Sequence, residues 1–178
     1  MNLKSRRVIV IGGGRVAAGK IETLLAAGAD VIVVAPDIRP EIAQLHVTLI
    51  QREFQESDLD GAWWVVAAAP SDVNREVLRA AESRRVFVNA VDDPANATAY
   101  AGGVVRRDGV TIAISTDGRA PALAGLLREA FEAWLPKDLE AWMVASDEAR
   151  TLWREQSVPM AERRHRLLET LNRLYSKK

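Results

Sequence analysis

The first hundred residues alternate short β-rich runs with helical stretches, and this alternation limits the possible folds more than any other feature. Strands are predicted over residues 7–11, 31–34, 47–50, 64–68 and 86–91. Between them, Ile21, Leu24 and Leu25 share one face of a helix that Gly28 closes. Strands that alternate with helices build a parallel sheet covered by helices. The pattern therefore predicts an α/β fold.

A glycine-rich segment, VIVIGGGRVAAGK, joins the first predicted strand to the first helix. It places Gly12, Gly14 and Ala17 in a G-x-G-x-x-A pattern, which serves a tight turn, close approach of a pyrophosphate, and close helix–strand packing. The free N–H groups at the helix N-terminus favour phosphate. A tight strand-to-helix turn needs glycine in any case. The position of the motif at the head of a repeated strand–helix series nevertheless favours a Rossmann-type dinucleotide-binding unit.

The cofactor predicted for this unit is NAD rather than NADP. A carboxylate after the second strand binds the ribose of NAD, whereas a cation there accommodates the 2′-phosphate of NADP. Ala35 takes the usual position of the acid, Asp37 is the nearest carboxylate, and Arg39 is close enough to serve a 2′-phosphate. The expected cofactor-binding residues are Gly12, Gly13, Gly14, Arg15, Val16, Ala17, Pro36, Asp37, Ala68 and Ala69.

After residue 91 the pattern changes to two strands, 104–106 and 110–115, around a turn at Asp108 and Gly109, followed by helices. The first of these helices begins near Ala120, has Pro121 in its first turn and ends before Pro136. It carries an apolar stripe of Leu123, Leu126, Leu127, Ala130, Phe131 and Trp134. We expect a Rossmann domain over 1–108, a small dimerisation region over 109–136 and a helical C-terminal tail over 137–178. A tail this small holds no core of its own, which predicts a homodimer.

Two polar clusters lie at the ends of predicted strands: Asn89, Asp92 and Asp93, then Ser115, Thr116 and Asp117. Ligands of open α/β sheets bind outside the carboxyl ends of the strands, so both clusters are candidates for the substrate side of the crevice. Asp93 and Asp117 are better explained as turn residues before Pro94 and Gly118, and Thr116 or Asp117 as a helix cap. Asp92 is the candidate catalytic base.

Composition excludes several other classes of protein. The chain has no cysteine, which rules out disulfides, thiolate nucleophiles and iron–sulfur ligation and fits a reducing cytoplasm. The 24 basic and 24 acidic side chains cancel, so no nucleic-acid partner is expected, although the tail from Thr151 is basic. No apolar run is long enough for a signal sequence or a membrane span, so no membrane contact is expected. The two histidines form no hydrolase or metalloprotease motif.

Five segments taken together carry a resemblance to a known family: IGGGRVAAGK, LLAAGADVIVVAP, WWVVAAAPSDVN, VFVNAVDDP and VTIAISTDGRAPALAGLLREAFEAWLP. In order and spacing, from about Asn2 to Pro136, they resemble the precorrin-2 dehydrogenase family, including the dehydrogenase/ferrochelatase part of siroheme synthases. The resemblance implies NAD-dependent oxidation of precorrin-2 to sirohydrochlorin, insertion of Fe²⁺ in some members, and a homodimer. Residues 99–103 depart from the family pattern, which leaves the shape of the substrate cleft open.

Carried over by motif, the resemblance assigns catalysis, and any metal contact, to Asp92. Asn89, Ser115, Thr116 and Arg119 are the candidate substrate contacts; Arg119 and the basic tail would hold the carboxylates of the tetrapyrrole. Two rivals remain open. One is a non-enzymatic nucleotide-sensing module, which would not require the NAVDDP and STDGRAP segments. The other is a chelatase without a cofactor, which would tolerate loss of Gly14.

Overall fold

The structure, a computed structural model, describes residues 2–176. Within these residues the strands are β1 (Arg7–Ile11), β2 (Asp30–Val34), β3 (Thr48–Ile50), β4 (Trp64–Ala67), β5 (Phe87–Ala90), β6 (Gly103–Arg107) and β7 (Val110–Ile114). The helices are α1 (Arg15–Ala26), α2 (Pro40–Ala43), α3 (Ser71–Arg84), α4 (Pro121–Trp134), α5 (Leu139–Glu155) and α6 (Met160–Tyr175). Short 3₁₀ segments occupy Glu56–Leu59 and Pro94–Asn96.

The first five strands form one parallel sheet in the order β3-β2-β1-β4-β5. The central strand β1 pairs with β2 on one side and β4 on the other, so that Val8 lies opposite both Val31 and Trp64. The strand order reverses between β1 and β4, and the crevice at such a reversal is where α/β sheets bind ligands. The predicted α/β fold of Rossmann type is confirmed.

The sheet is apolar on both faces. Val8 and Val10 of β1 pack on one face, below α1 and α2, while Ile9 and Ile11 pack on the other, below α3. The first three of these side chains are fully buried and Ile11 nearly so. Helices on both faces exclude water from the strands, which explains why they read as continuous apolar runs rather than as alternating ones.

The chain divides into two compact units, the first comprising residues up to Ala101 together with Asp117–Arg119, and the second Gly102–Thr116 together with the helices from Ala120 onward. In the second unit, β6 and β7 form an antiparallel hairpin around Asp108 and Gly109, both at positive φ, as the sequence predicts. The domain boundary expected after residue 108 therefore falls inside the hairpin turn. Because β6 bonds to β7 and lies outside the parallel sheet, the structure groups residues 103–107 with the helices.

The second unit is held by small apolar clusters. Val105, Leu135 and Leu139 form one, and Ala149, Trp153 and Val158 form another. Helix α4 presents Ala124 to the hairpin, where a side chain on Gly103 would collide with the Ala124 carbonyl oxygen. Ala124 is not part of the apolar stripe of α4, and all six residues of that stripe are exposed. Lys177 and Lys178, which end the basic tail, lie outside the described residues.

Candidate functional site

The turn after β1 is built for close backbone contact. Gly12 has φ +120°, a conformation that side chains disfavour, and a side chain there would also strike the carbonyl oxygen of Ala68. A side chain on Gly13 would strike the carbonyl oxygen of Asp37. The amide of Arg39 donates to the Gly13 carbonyl at 3.0 Å. The glycine loop is therefore packed against the loops that follow β2 and β4.

Gly14 differs from the two glycines before it. It is the N-cap residue of α1, with φ −84° and ψ −176°, and a side chain there would meet nothing within 4 Å. No side chain caps α1, and its first turn contains no acidic residue. The N–H groups at this helix end are therefore open to an anion, as a bound pyrophosphate requires.

The other residues expected in this motif take distinct positions. Ala17 is fully buried, where it lets α1 pack closely on the sheet. Arg15 and Val16 in the first turn are exposed, with 49% of Val16 accessible. A large apolar side chain at the mouth of a nucleotide crevice is available for cofactor contact. The roles of Arg15 and Val16 remain predictions.

A pocket of about 510 Å³ opens at the carboxyl ends of β1, β2 and β4. Six of the predicted cofactor residues line it: Gly12, Gly13, Pro36, Asp37, Ala68 and Ala69. The other four, Gly14, Arg15, Val16 and Ala17, lie at the start of α1 and do not line it. The size suits a nucleotide-sized ligand.

Sequence reasoning missed the far wall of this pocket, formed by Glu53, Phe54, Val73 and Glu76. The first two follow β3 and the last two lie on α3. One available signal was topological: residues after β3 in a parallel sheet lie at the same edge as those after β2. Asp37, Glu53 and Glu76 together make the lining acidic.

An ion pair braces the loop that carries Glu53 and Phe54. The Arg52 guanidinium donates to both carboxylate oxygens of Asp58, at 2.8 and 2.5 Å, and to the carbonyl of Glu53 at 2.8 Å. Burial raises the pKa of the Asp58 carboxyl, but the hydrogen bonds from Arg52 and the Gln55 amide outweigh burial and hold it below its usual range. The Arg52–Asp58 pair therefore fixes the path of the loop past the pocket.

Arg39, the alternative partner for a 2′-phosphate, is engaged elsewhere. Its guanidinium makes two hydrogen bonds to the Glu41 carboxylate, at 2.8 and 3.2 Å. The Arg39 side chain is 50% exposed and that of Glu41 60%, so this ion pair contributes little to stability. The pair nevertheless puts the Glu41 carboxylate beside Arg39, the cation that the sequence suggested for the 2′-phosphate of NADP.

Asn89 lies within β5 and Asp92 follows it, and the two side chains have quite different environments. Asp92 is exposed and has φ +55°, a left-handed conformation that Asp and Asn tolerate better than other side chains. Asn89 is buried, and its amide nitrogen donates to the Ala99 carbonyl at 3.1 Å. The Asp92 carboxylate is thus exposed to solvent. Asn89 instead anchors the segment after β5 through its bond to Ala99.

Asp93, expected only as a turn residue, is the centre of a hydrogen-bond network. Its Oδ2 accepts from the side-chain amides of Asn96 at 2.8 Å and Asn74 at 3.2 Å. These bonds, led by that from Asn96, hold the pKa of the Asp93 carboxyl below its usual range. Both amides are buried. No local pattern links Asn74 to Asp93, which lie 19 positions apart.

The remaining candidate residues fall on both compact units. Ser115 and Thr116 belong to the second, and the Thr116 hydroxyl accepts from the amide of Ala120 at 3.2 Å, just before α4. The N-cap residue of α4 is Ala120, however, and no side chain caps the helix, so the cap expected from Thr116 or Asp117 is not found. Arg119 belongs to the first unit and is exposed. Asp117 has φ +51° before Gly118 at +73°, as turn chemistry predicts.

Residues 2–176 contain neither a cluster of metal-ligating side chains nor a helix that could span a membrane. No group of three or more His, Asp or Glu side chains there is arranged to hold a metal ion. None of the helices in that range is long and apolar enough to cross a membrane.

Comparison with known proteins gives two family matches. Residues 1–103 match a family described as putative NAD(P)-binding, and residues 107–133 match the sirohaem biosynthesis protein central region. The chain is 39% identical to siroheme synthase 3 of Aeromonas hydrophila over 167 residues, and 38% identical to siroheme synthase of Citrobacter koseri. These alignments cover 91% of the chain but 36% of each relative, so the chain spans about a third of their length.

A solved structure is also similar. SirC, a precorrin-2 dehydrogenase, superimposes with a TM-score of 0.68 at 25% identity, over 95% of this chain and 86% of that one. The likeness extends beyond the nucleotide-binding unit, because 95% of the chain includes most of the hairpin and helices.

Proposed function

The chain belongs to the NAD(P)-binding family matched by residues 1–103, and from this premise we propose that it oxidises precorrin-2 to sirohydrochlorin with NAD. The observation that carries the proposal is the open N-terminus of α1 beside a pocket of about 510 Å³ at the carboxyl edge of the sheet. The central sirohaem-biosynthesis region and the similarity to SirC support the substrate.

The residues around the pocket fit NAD. The amides at the start of α1 would hold the pyrophosphate, and Gly14 leaves the space for it. Asp37, at the end of β2, would bind the adenosine ribose. Ala68 and Ala69 after β4 would contact the nicotinamide half, where small side chains permit a close approach.

The charges of the pocket favour NAD over NADP. A 2′-phosphate would meet Asp37 and the acidic wall formed by Glu53 and Glu76. Arg39, the cation nearest in sequence, is already paired with Glu41. Like charges in a partly enclosed pocket repel each other more strongly than in water. We therefore expect NADP to bind more weakly.

Bound NAD supplies the hydride acceptor, and the chain must then manage the proton that the macrocycle also loses. Asp92 is assigned as the group that takes it. The side chain is an exposed carboxylate in the turn after β5, at the sheet edge where the cofactor pocket opens. The reaction requires the protein only to position the substrate and to accept a proton. This agrees with the lack of a strong nucleophile among the candidate residues.

Substrate carboxylates are assigned to cations and hydroxyls. Arg119 is exposed and suited to a carboxylate, and Arg154, Arg164 and Arg173 are exposed cations of the basic tail. Ser115 and Thr116 are the hydroxyl candidates, with Asn89 as a further contact. Thr116 and Asn89 each already make a hydrogen bond within the chain, so their contribution is expected to be smaller.

The active form is proposed to be a cytoplasmic homodimer. Helix α4 exposes Leu126 (65%), Phe131 (38%) and Trp134 (75%) on one apolar stripe, which a second copy of the chain would cover. The absence of cysteine from the sequence fits a reducing compartment.

Anaerobic absorbance spectroscopy tests the proposal. Precorrin-2 is mixed with the protein alone, with NAD and with NADP, and the spectrum of sirohydrochlorin is followed together with that of the reduced nicotinamide. We expect both to appear with NAD, and much more slowly with NADP. Ferrous ion is then added to detect metal insertion. NAD binding without any oxidation of precorrin-2 would instead favour a nucleotide-sensing module, and iron insertion into sirohydrochlorin without NAD a chelatase.

A further inference from the structure

The loop after β4 and the turn after β5 are joined by side chains that the proposed reaction does not use. Asn74, in the first turn of α3, accepts a hydrogen bond from the Ala69 amide through Oδ1 at 3.2 Å. Its Nδ2 donates to Asp93 at 3.2 Å. The same Asp93 oxygen accepts from Asn96, whose amide nitrogen also contacts Ser71. We call Asn74, Asp93 and Asn96 the asparagine–aspartate link.

The link is buried on its amide side. Asn74 is 1% exposed and Asn96 is 7% exposed. A buried amide without a hydrogen-bond partner destabilises the folded state, so these side chains have little freedom to rearrange. The link therefore joins the loop after β4 to the turn after β5 through buried side chains.

Each end of the link lies at a candidate functional element. Ala69 lines the cofactor pocket, and its amide is the group that Asn74 holds. Asp93 directly follows Asp92, whose left-handed backbone must be maintained by its surroundings. All of these residues belong to the first compact unit.

We propose that Asp93 is a positioning residue that sets the Asp92 turn relative to the cofactor loop through Asn74. The inference rests on the function proposed above, and it deepens that function by giving a positioning role to a residue that the sequence indicated only as a turn residue. A carboxylate suits the position because one oxygen accepts from two amides at once, and ionised acceptors form the stronger hydrogen bonds. The depressed pKa of Asp93 agrees with an ionised carboxylate at neutral pH.

The test compares Asp93→Ala with Asp93→Asn, which retains one acceptor oxygen, and with Asp72→Asn, which removes an exposed charge from the same helix as Asn74. Three quantities are measured for each: the dissociation constant of NAD by calorimetry, kcat and KM for precorrin-2, and hydrogen exchange of peptides containing Ala69 and residues 91–97. Exchange and NAD binding do not depend on the oxidation reaction.

For Asp93→Ala we expect about a tenfold weaker NAD affinity and about a tenfold lower kcat, the size of one lost hydrogen bond to a charged group. KM for precorrin-2 should stay within about twofold, and exchange should rise in both peptides together. Asp93→Asn should recover most of each loss, and Asp72→Asn should match the unmodified protein. Should Asp93→Ala fail to fold, Asn96→Ala removes one donor only, and it should still lower kcat and speed exchange of residues 91–97.

Three results would overturn the inference. The first is that Asp93→Ala speeds hydrogen exchange in one of the two peptides but not in the other. The second is that a folded Asp93→Ala keeps the NAD affinity and kcat of the unmodified protein. The third is that Asn96→Ala leaves both kcat and exchange unchanged. Failure of the proposed function has a different signature. In that case the unmodified protein does not oxidise precorrin-2, while NAD affinity and exchange still report on the link.

Discussion

The two compact units bury their apolar side chains very differently. The largest fully buried side chains in the described part of the chain, among them Ile9, Ile21, Ile42 and Leu59, all lie in the first unit. In the second unit, α4 buries Ala124 alone among its residues, and α6 buries none. The first unit completes its core within one chain. The second leaves the large apolar side chains of α4 exposed in the single chain.

This difference separates two kinds of residue that look alike in the sequence. A buried apolar side chain of the first unit, such as Ile9, packs between the sheet and its covering helices and contributes to stability. An apolar side chain on α4 contributes little to the single chain and is available for association.

The largest expected effect is on folding. Ile9→Ala removes a fully buried side chain from the central strand and should lower the free energy of unfolding by about 2–5 kcal/mol. Leu126→Ala, on a side chain that is 65% exposed, should change it by about 0.5 kcal/mol or less in the monomer. Urea unfolding at a protein concentration low enough to favour the monomer gives both values. Equal losses would remove the distinction between the units.

The next largest effect is a loss of NAD affinity at Gly14, where a substitution should leave the stability of the fold unchanged. Gly14→Asp places a carboxylate in open space at an N-cap position, where Asp satisfies helix N–H groups. The melting temperature should hold or rise, whereas NAD affinity should fall about 10²-fold, because the carboxylate takes the phosphate position. Gly19→Asp, exposed in the interior of the same helix, is the matched control. Normal NAD binding by Gly14→Asp would remove the glycine loop from the site.

A comparable effect, on turnover alone, is expected at Asp92. Asp92→Asn keeps a side chain that tolerates positive φ and removes the base. It should oxidise precorrin-2 about 10²-fold more slowly while binding NAD normally. Stopped-flow absorbance with saturating NAD gives the rate. Oxidation at the unmodified rate would leave Asp92 a turn residue, with the proton leaving to water.

A smaller effect is expected on association. Leu126→Glu introduces a charge into the exposed stripe of α4 and should weaken the proposed homodimer about tenfold, as loss of one interface anchor does. Trp63→Glu, at an exposed aromatic residue of the first unit that stacks with Arg6, is the control and should leave the dimer unchanged. Sedimentation velocity over a concentration series measures both. A monomeric unmodified chain would mean that the stripe is not a dimer interface.

The smallest effect concerns acid stability. The folded-state pKa of Asp93 is depressed, so its ionised carboxylate stabilises the fold above the ordinary Asp value of about 4. That stabilisation is lost as the pH falls through the folded-state pKa. Asp93→Asn should therefore be less stable than the unmodified protein at pH 7, and the gap should narrow below about pH 4. Thermal unfolding across this range measures it, and a gap that widens in acid would contradict the assignment.

Sequence alone determined the features that depend on neighbouring residues. The strand–helix alternation, the tight turn at Gly12 and the hairpin turn at Asp108 and Gly109 follow from the period of apolar residues and from backbone preferences. Six of the fourteen residues that line the pocket followed as well, because the ends of β1, β2 and β4 could be placed by the Rossmann pattern.

Tertiary structure decided what depends on distant residues. The acidic wall at Glu53 and Glu76 exists because β3 and α3 return to the same edge of the sheet. Asp93 changes from a turn residue to the centre of a network because α3 brings Asn74 to it across 19 positions. Whether the apolar stripe of α4 is buried could not be read from the sequence, and in the fold Ala124 is the only residue of this helix that is buried. Local sequence specifies a backbone preference, whereas burial and hydrogen-bond partners are properties of the packed chain.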